Sequence, residues 1–227
     1  MERATAVTDR YSILAGLLLA AVVAVALLSD IGGGGGGGTL GLDEQPARWP
    51  LPEFAVPVAA GELEGDANIA QDDCATSQVP CPADARRTPA CRLRDDEAIR
   101  VCDLFDRPSL LSFWFTKGGS DCVGQQDVVD RVYARYRGRV HFLSLNVRDD
   151  RDKVRGLIQQ RGWRMPVGYD RDGAVASLYR VGLCPTFAYV YPGGTLQDAG
   201  IGTLTAGELS NRIEGLLRAS RAAEQGR

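Results

Sequence analysis

Residues 181–187 have the sequence Val-Gly-Leu-Cys-Pro-Thr-Phe, and the elements on either side of this stretch decide how the chain folds. Directly after Pro185, the β-branched and aromatic residues from Thr186 to Tyr191 predict a strand. The next three residues, Pro192-Gly193-Gly194, predict a tight turn. We therefore expect Thr195 to Ile201 to return as an antiparallel partner strand.

Strands and helices alternate in the preceding part of the chain, beginning at Ser109. The apolar spacing there switches between short buried runs, typical of strands, and repeats of three and four residues, typical of amphipathic helices. The same spacing predicts a last helix from Thr205 to Arg218. The other predicted elements are a strand Leu110 to Phe115, a helix ending near Gly138, a strand Val140 to Val147, a helix capped by Asp149 or Asp150 and closed by Gly162, a strand Met165 to Tyr169, and a short helix Ala174 to Tyr179.

This order of elements resembles the thioredoxin fold, an α/β fold with a central mixed sheet and flanking helices. Residues 111–115, Leu-Ser-Phe-Trp-Phe, together with 181–187 and the Pro-Gly-Gly turn, resemble membrane-anchored thioredoxin-like disulfide reductases and the wider redoxin superfamily. The resemblance covers about Leu51 to Leu217. It implies that Pro185 occupies the family's cis-proline position and contributes to substrate binding.

The chain departs from this family at the paired-cysteine motif. The family's two cysteines would lie in the first turn of the helix after Trp114, where this chain has only Cys122. Alignment on the helix stripe puts Cys122 at the first position and Gln125 at the second, whereas alignment on Trp114 puts Cys122 nearer the second. In either alignment, one cysteine of the CxxC motif is missing.

Cys184 is a candidate replacement for the missing cysteine, because the family's residue before the cis-proline lies against the active-site sulfur. The resemblance implies that Cys122 and Cys184 form a redox-active pair from two loops. Cys122 is the expected attacking thiol, since a helix N-terminus favours the thiolate. An inert structural disulfide and two unpaired thiols are the alternatives.

The leading prediction for activity is thiol-disulfide exchange with exported proteins through Cys122 and Cys184. Two other functions stay open. One is a redox-inactive binding or structural module that uses the surface around Pro185. The other is a peroxiredoxin-like peroxidase with a single reactive thiol.

The N-terminus predicts export. Residues 11–29 are nineteen uncharged residues between Arg10 and Asp30, about the length that crosses a bilayer. Positive charge before this segment and acidic residues after it predict a single-pass protein of the cell membrane, with residues 1–10 cytoplasmic and the rest extracytoplasmic. Ala24-Val25-Ala26 also fits a signal-peptidase site, so a cleaved signal peptide is the alternative.

We expect the exported part to contain one domain. Residues 30–50, with seven consecutive glycines at 32–38, predict a flexible linker. The domain is predicted at 51–218, beginning with a short edge strand from Pro52 to Val58. A disordered tail is predicted at 219–227.

An irregular insertion at 61–104 contains four more cysteines, which an oxidising compartment would pair as structural disulfides: Cys74, Cys81, Cys91 and Cys102. A turn at Asp95-Asp96 could bring the last two opposite one another, and the first two would close a small loop, but the sequence leaves the pairing open. Zinc is the rival, yet no CxxC occurs and His141 is the only histidine. We therefore predict no metal and no cofactor.

The charge of the chain argues against nucleic acid as a partner. The formal net charge is −3, and the arginines are scattered rather than clustered. The expected partners are the thiols or disulfides of exported proteins, and the membrane through the N-terminal helix.

Overall fold

The structure, a computed structural model, describes residues 42, 45, 48–64, 88–118 and 120–225. The segment at 11–29, the glycine run, Cys74 and Cys81 lie outside the described residues, so the predictions made for them stay predictions. Among the residues that are described, no helix is both long enough and apolar enough to span a bilayer.

Seven strands and four α-helices follow one another along the described chain. In order they are β1 (Ala55–Pro57), β2 (Ala98–Arg100), β3 (Ser109–Trp114), α1 (Ser120–Tyr136), β4 (His141–Val147), α2 (Arg151–Arg161), β5 (Val167–Asp170), α3 (Ala174–Leu178), β6 (Thr186–Tyr191), β7 (Thr195–Ile201) and α4 (Ala206–Gln225). Short 3₁₀ turns lie at Ala90–Arg92, Val101–Leu104 and Thr116–Gly118.

The central sheet has five strands in the order β5-β4-β3-β6-β7. β3, β4 and β5 are parallel, whereas β6 is antiparallel to both β3 and β7. Parallel neighbours need crossover connections, which α1 and α2 supply, and the turn at 192–194 supplies the hairpin. This mixed sheet confirms the predicted thioredoxin fold.

Side-chain alternation along β3 divides the core between the two faces of the sheet. Leu110 and Trp114 belong to a cluster that also holds the buried stripes of α1 and α4. Leu111 and Phe113 belong to the opposite cluster, which includes α3 and the chain before β1. Both faces of β3 are thus covered, and its carboxyl end is the end at which the chain turns towards Cys122.

The domain begins earlier than predicted, since residues before position 51 already belong to it. Leu42 is 1% exposed within the second cluster, and Leu196 donates its backbone N–H to the Trp49 carbonyl. The prediction of a linker extending to residue 50 was therefore wrong in its last part, because one apolar side chain in a polar stretch gave too weak a pattern.

The last helix runs on to Gln225. Ser220 is buried, so the inward face of α4 continues beyond the predicted end at Arg218. The prediction of disorder from residue 219 was wrong for residues 219–225, because small side chains on this face conceal a helical stripe.

The described part of the insertion reaches the sheet through β2 and its partner β1, which precedes the insertion. The two strands pair antiparallel, and β1 also contacts β5 at Gly168. A Cβ atom at Gly168 would lie 2.6 Å from Val56 Cγ2, so only glycine permits this approach. β1 is therefore an edge strand, as its prolines predicted.

Candidate active site

Cys122 and Cys184 form a disulfide at the carboxyl end of β3. Their Cα atoms are 5.6 Å apart although 62 positions separate them in the sequence. Cys122 lies in the first turn of α1, and Cys184 lies in the loop before β6. The Cys184–Pro185 peptide bond is cis. The structure thus brings together the two cysteines and the proline that the sequence singled out.

The two cysteines differ in exposure. Cys122 is 1% exposed, whereas Cys184 is partly exposed and follows Leu183, which is 52% exposed. Cys184 Sγ lies 3.8 Å from the carbonyl oxygen of Phe115, at the start of the loop that leads to α1. A thiol arriving from solvent therefore reaches Cys184 more readily than Cys122.

A buried polar cluster fixes the first turns of α1 against the sheet. Gln126 is fully buried, and its amide donates to Ser112 Oγ on β3 at 3.1 Å. Its Oε1 accepts from Ser144 Oγ on β4 at 2.9 Å, and Ser144 Oγ accepts from Trp114 Nε1 at 2.8 Å. Because Gln126 is one turn from Cys122 on the same helix, this cluster sets the position of the Cys122 sulfur.

A second set of hydrogen bonds holds the loop between β3 and α1. Asp149 accepts from the Thr116 backbone N–H and the Thr116 hydroxyl, each at 2.6 Å, and from Asn146 Nδ2 at 2.7 Å. Asp150, its neighbour, caps α2 by accepting from the Lys153 N–H. The sequence left these two aspartates as alternative caps of this helix. In the structure Asp150 is the cap, and Asp149 holds the loop before α1.

Gln125, the residue that one alignment places at the second cysteine position, has a structural role. It is 3% exposed, and its Oε1 accepts from the Leu204 backbone N–H at 2.8 Å. It thereby connects α1 to the loop between β7 and α4. The side chain that stands in place of a thiol is thus part of the packing around Cys122.

The loop that carries Cys184 follows α3, whose first turn is capped by Asp170. The Asp170 carboxylate accepts from the backbone N–H groups of Val175 and Ala176, at 3.2 and 2.8 Å. Burial raises the pKa of Asp170 to about 6, and the hydrogen bonds to Ala176 and Val175 act against that rise. A titratable group therefore lies beneath the helix that leads to the disulfide.

His141, Cys91 and Cys102, the other predicted residues that the structure describes, lie away from this site. His141 begins β4 at the opposite end of the sheet, where its Nε2 lies 2.5 Å from Asp106 Oδ1. Cys91 and Cys102 form a disulfide with Cα atoms 5.7 Å apart, next to Glu53. The sulfurs of a disulfide are not thiolates, so Cys91 and Cys102 in this bond do not offer the thiolate ligands that zinc binds.

The thioredoxin-like disulfide reductases are also the proteins that this chain resembles by direct comparison. Thiol-disulfide oxidoreductase ResA of Oceanobacillus iheyensis is 27% identical over 124 residues, which are 54% of this chain and 62% of that protein. This chain thus spans less than two thirds of the relative's length. No family model matches the chain.

Two solved structures show the same fold. A DsbF homologue from Corynebacterium diphtheriae gives a TM-score of 0.56 at 15% identity and covers 81% of this chain and 96% of that one. A thiol:disulfide interchange protein of the thioredoxin family from Chlorobium tepidum TLS gives 0.52 at 13% identity and covers 76% and 99%. This chain therefore has a thioredoxin-like fold, and its sequence is similar to that of a thiol-disulfide oxidoreductase.

Proposed function

We propose that this protein is a thiol-disulfide oxidoreductase that acts on exported proteins through Cys122 and Cys184. The observation that carries the proposal is the disulfide between a cysteine in the first turn of a 17-residue helix and the cysteine before the cis-proline. The membrane tether, with the N-terminus inside and the domain outside, is part of the proposal and rests on the charges around residues 11–29.

The exchange begins at Cys184 rather than at Cys122, the attacking thiol expected from the sequence, because Cys184 is the more exposed half of the disulfide. A substrate thiolate attacks Cys184 Sγ, a new S–S bond forms, and the bond to Cys122 breaks. The electron pair leaves on Cys122 as a thiolate. A second substrate thiolate then attacks the substrate sulfur of the mixed disulfide, which releases Cys184 as a thiolate and leaves the substrate oxidised.

Placing Cys122 as the leaving group agrees with its surroundings. The unpaired N–H groups and the dipole at a helix N-terminus stabilise a thiolate there, and a stabilised thiolate leaves faster. Asp121 is adjacent in sequence and opposes this effect. The reverse sequence of steps, with Cys184 attacking a substrate disulfide and Cys122 resolving it, reduces the substrate.

Graded reduction of the full-length chain tests the proposal. The oxidised protein is equilibrated in dithiothreitol or glutathione buffers, its thiols are alkylated, and each cysteine is quantified by mass spectrometry. We expect Cys122 and Cys184 to be reduced together, before the disulfide of Cys91 and Cys102, and the protein to exchange with a model dithiol. A pair that resists reduction, or that fails to exchange, would leave a redox-inactive binding module.

Single serine variants test which sulfur meets the substrate. With a substrate disulfide, Cys122→Ser should accumulate a mixed disulfide between Cys184 and the substrate and release one substrate thiolate, because Cys122 is no longer present to resolve it. Cys184→Ser should trap little substrate. The matched control is the double variant Cys91→Ser/Cys102→Ser, which should keep the exchange rate. Efficient trapping at Cys122 would reverse the assignment.

A further inference from the structure

A groove of about 700 Å³ opens near the loop that carries Cys184, although neither Cys122 nor Cys184 lines it. One wall includes Phe115, whose carbonyl oxygen is 3.8 Å from Cys184 Sγ. Another includes Val181 and Gly182, which lead directly to Cys184. A chain that occupies the groove therefore lies next to the sulfur that receives the substrate thiol.

Three exposed cations line this groove: Lys117, Arg148 and Arg171. The groove also has two carboxylates, of which Asp149 has both oxygens engaged in hydrogen bonds and Asp172 has one. Asp149 is buried and engaged with Thr116 and Asn146, and Asp172 Oδ1 accepts from the Ala174 N–H. Three cations against two carboxylates give the lining a net positive charge, and one of the two carboxylates, Asp149, is buried.

The backbone holds Arg148 in place at the groove. Its φ is +58°, a left-handed conformation that is rare outside glycine, and its N–H donates to the Asp170 carbonyl at 2.9 Å. Gly173, also left-handed with φ +81°, lies under the side chain, and a Cβ there would be 2.6 Å from Arg148 Cδ. The arginine stem thus lies across a glycine that leaves room for it.

The remaining lining is largely apolar. Phe115, Val147, Ala176 and Val181 supply hydrophobic surface within the same groove. A surface that combines apolar contact with cations suits a peptide segment that carries both apolar and acidic side chains.

We propose that this groove selects the substrate, and that it binds the segment flanking a reactive cysteine when that segment is acidic. The inference rests on the proposed exchange activity and adds a substrate class to it. Carboxylates of the peptide pair with Lys117 and Arg148 while its cysteine attacks Cys184 Sγ. The step forms a peptide–Cys184 disulfide and releases the Cys122 thiolate, so no further reactant is needed.

The test measures how fast monothiol peptides form that mixed disulfide with the oxidised full-length chain. Three peptides of equal length carry glutamate, glutamine or lysine on both sides of cysteine, and each rate is divided by the same peptide's rate with oxidised glutathione. We expect the acidic peptide to react about fivefold faster than the neutral one at low ionic strength, since each exposed ion pair contributes modestly. The preference should vanish in 1 M salt, where screening acts within about 3 Å.

Charge-reversal variants locate the effect. Arg148→Glu and Lys117→Glu should each lower the acidic-to-neutral ratio towards one or below. Arg137→Glu is the matched control, because Arg137 is exposed, follows the far end of α1 and changes the net charge equally. The control should keep the fivefold preference.

The outcomes separate this inference from the exchange activity itself. If no peptide reacts with the Cys122–Cys184 disulfide, the proposed function fails. If all three react at equal normalised rates, or if Arg137→Glu matches Arg148→Glu, only the groove assignment fails. The same rate is also measured with reduced glutathione, a small thiol. If Arg148→Glu slows glutathione as much as it slows the acidic peptide, the assignment to a peptide segment is overturned.

Discussion

Gln126 is the side chain that connects the fold to the position of the disulfide. Its amide donates to one serine and accepts from another on the two central strands of the sheet, with no exposure to solvent. A buried polar group keeps its stabilising effect only while its partners remain, since each orphaned partner loses a hydrogen bond without regaining water. The cluster is thus sensitive to the loss of any member.

We predict that Gln126→Leu lowers the free energy of unfolding by about 2 to 4 kcal/mol, because it removes the donor to the Ser112 hydroxyl and the acceptor of the Ser144 hydroxyl. Urea unfolding of the oxidised protein measures this. Gln159→Leu, on the exposed face of α2, is the matched control and should change stability by less than about 0.5 kcal/mol. Equal effects of the two variants would contradict a role for the cluster.

At this scale the sequence was informative only where a resemblance supplied the geometry. Cys122, Cys184 and Pro185 were chosen because related proteins place such residues together, not because their spacing of 62 residues required it. The local sequence did not predict the hydrogen bonds of Gln126 and Ser112, or those of Asp149 to the loop before α1, since the partners come from different strands and loops. Short polar side chains inside apolar runs, such as the serines in β3 and β4, were the available hint.

The elements themselves follow from local patterns, and this is why most of them were predicted within one or two residues. β6 and β7 lie where predicted, and Gly162 ends α2 in the left-handed conformation expected of a C-cap. Errors arose where the pattern weakened. α4 continues past its last large apolar residue, and Leu42 enters the core from a stretch of low apolar content.

The short helix α3 gives the clearest pH dependence among the elements. Asp170 caps it, and burial raises the pKa of that carboxyl to about 6, whereas an unfolded aspartate titrates near 4. Between these values the folded chain binds more protons than the unfolded chain at this position. The free energy of unfolding from this group therefore falls as pH rises from about 4 to about 6.

We predict that Asp170→Asn removes this dependence. The difference in unfolding free energy between wild type and variant should change by as much as about 3 kcal/mol across that interval, with the wild type losing stability. Denaturant unfolding at half-unit steps of pH measures the difference, and the other carboxyl groups cancel in the comparison. A difference that stays constant with pH would show that Asp170 titrates normally.

The described residues contain two disulfides of different span, and both affect the stability of the domain. The disulfide of Cys122 and Cys184 joins residues 62 positions apart, and that of Cys91 and Cys102 joins residues 11 apart. Loop-closure entropy predicts stabilisation by about 4 kcal/mol for the longer loop and about 3 kcal/mol for the shorter one. A conventional CxxC bridge closes a much smaller loop and stabilises the fold less.

We predict that replacing both Cys122 and Cys184 by alanine lowers the free energy of unfolding by about 4 kcal/mol, against about 3 kcal/mol for replacing Cys91 and Cys102. Denaturant unfolding of the two double variants under oxidising conditions measures this order. Selective reduction of the wild-type pair should reproduce the larger loss. A negligible loss on reduction would mean that the two loops are held together by other contacts.

The long span of the exchange disulfide closes a thermodynamic cycle with folding. If the disulfide increases the free energy of unfolding by some amount, then folding makes reduction of the disulfide less favourable by the same amount. A partner that loosens the loop before β6 while it docks would recover part of that free energy at the moment of attack. The rate of thiol-disulfide exchange would then depend on how far the docked substrate loosens the loop before β6.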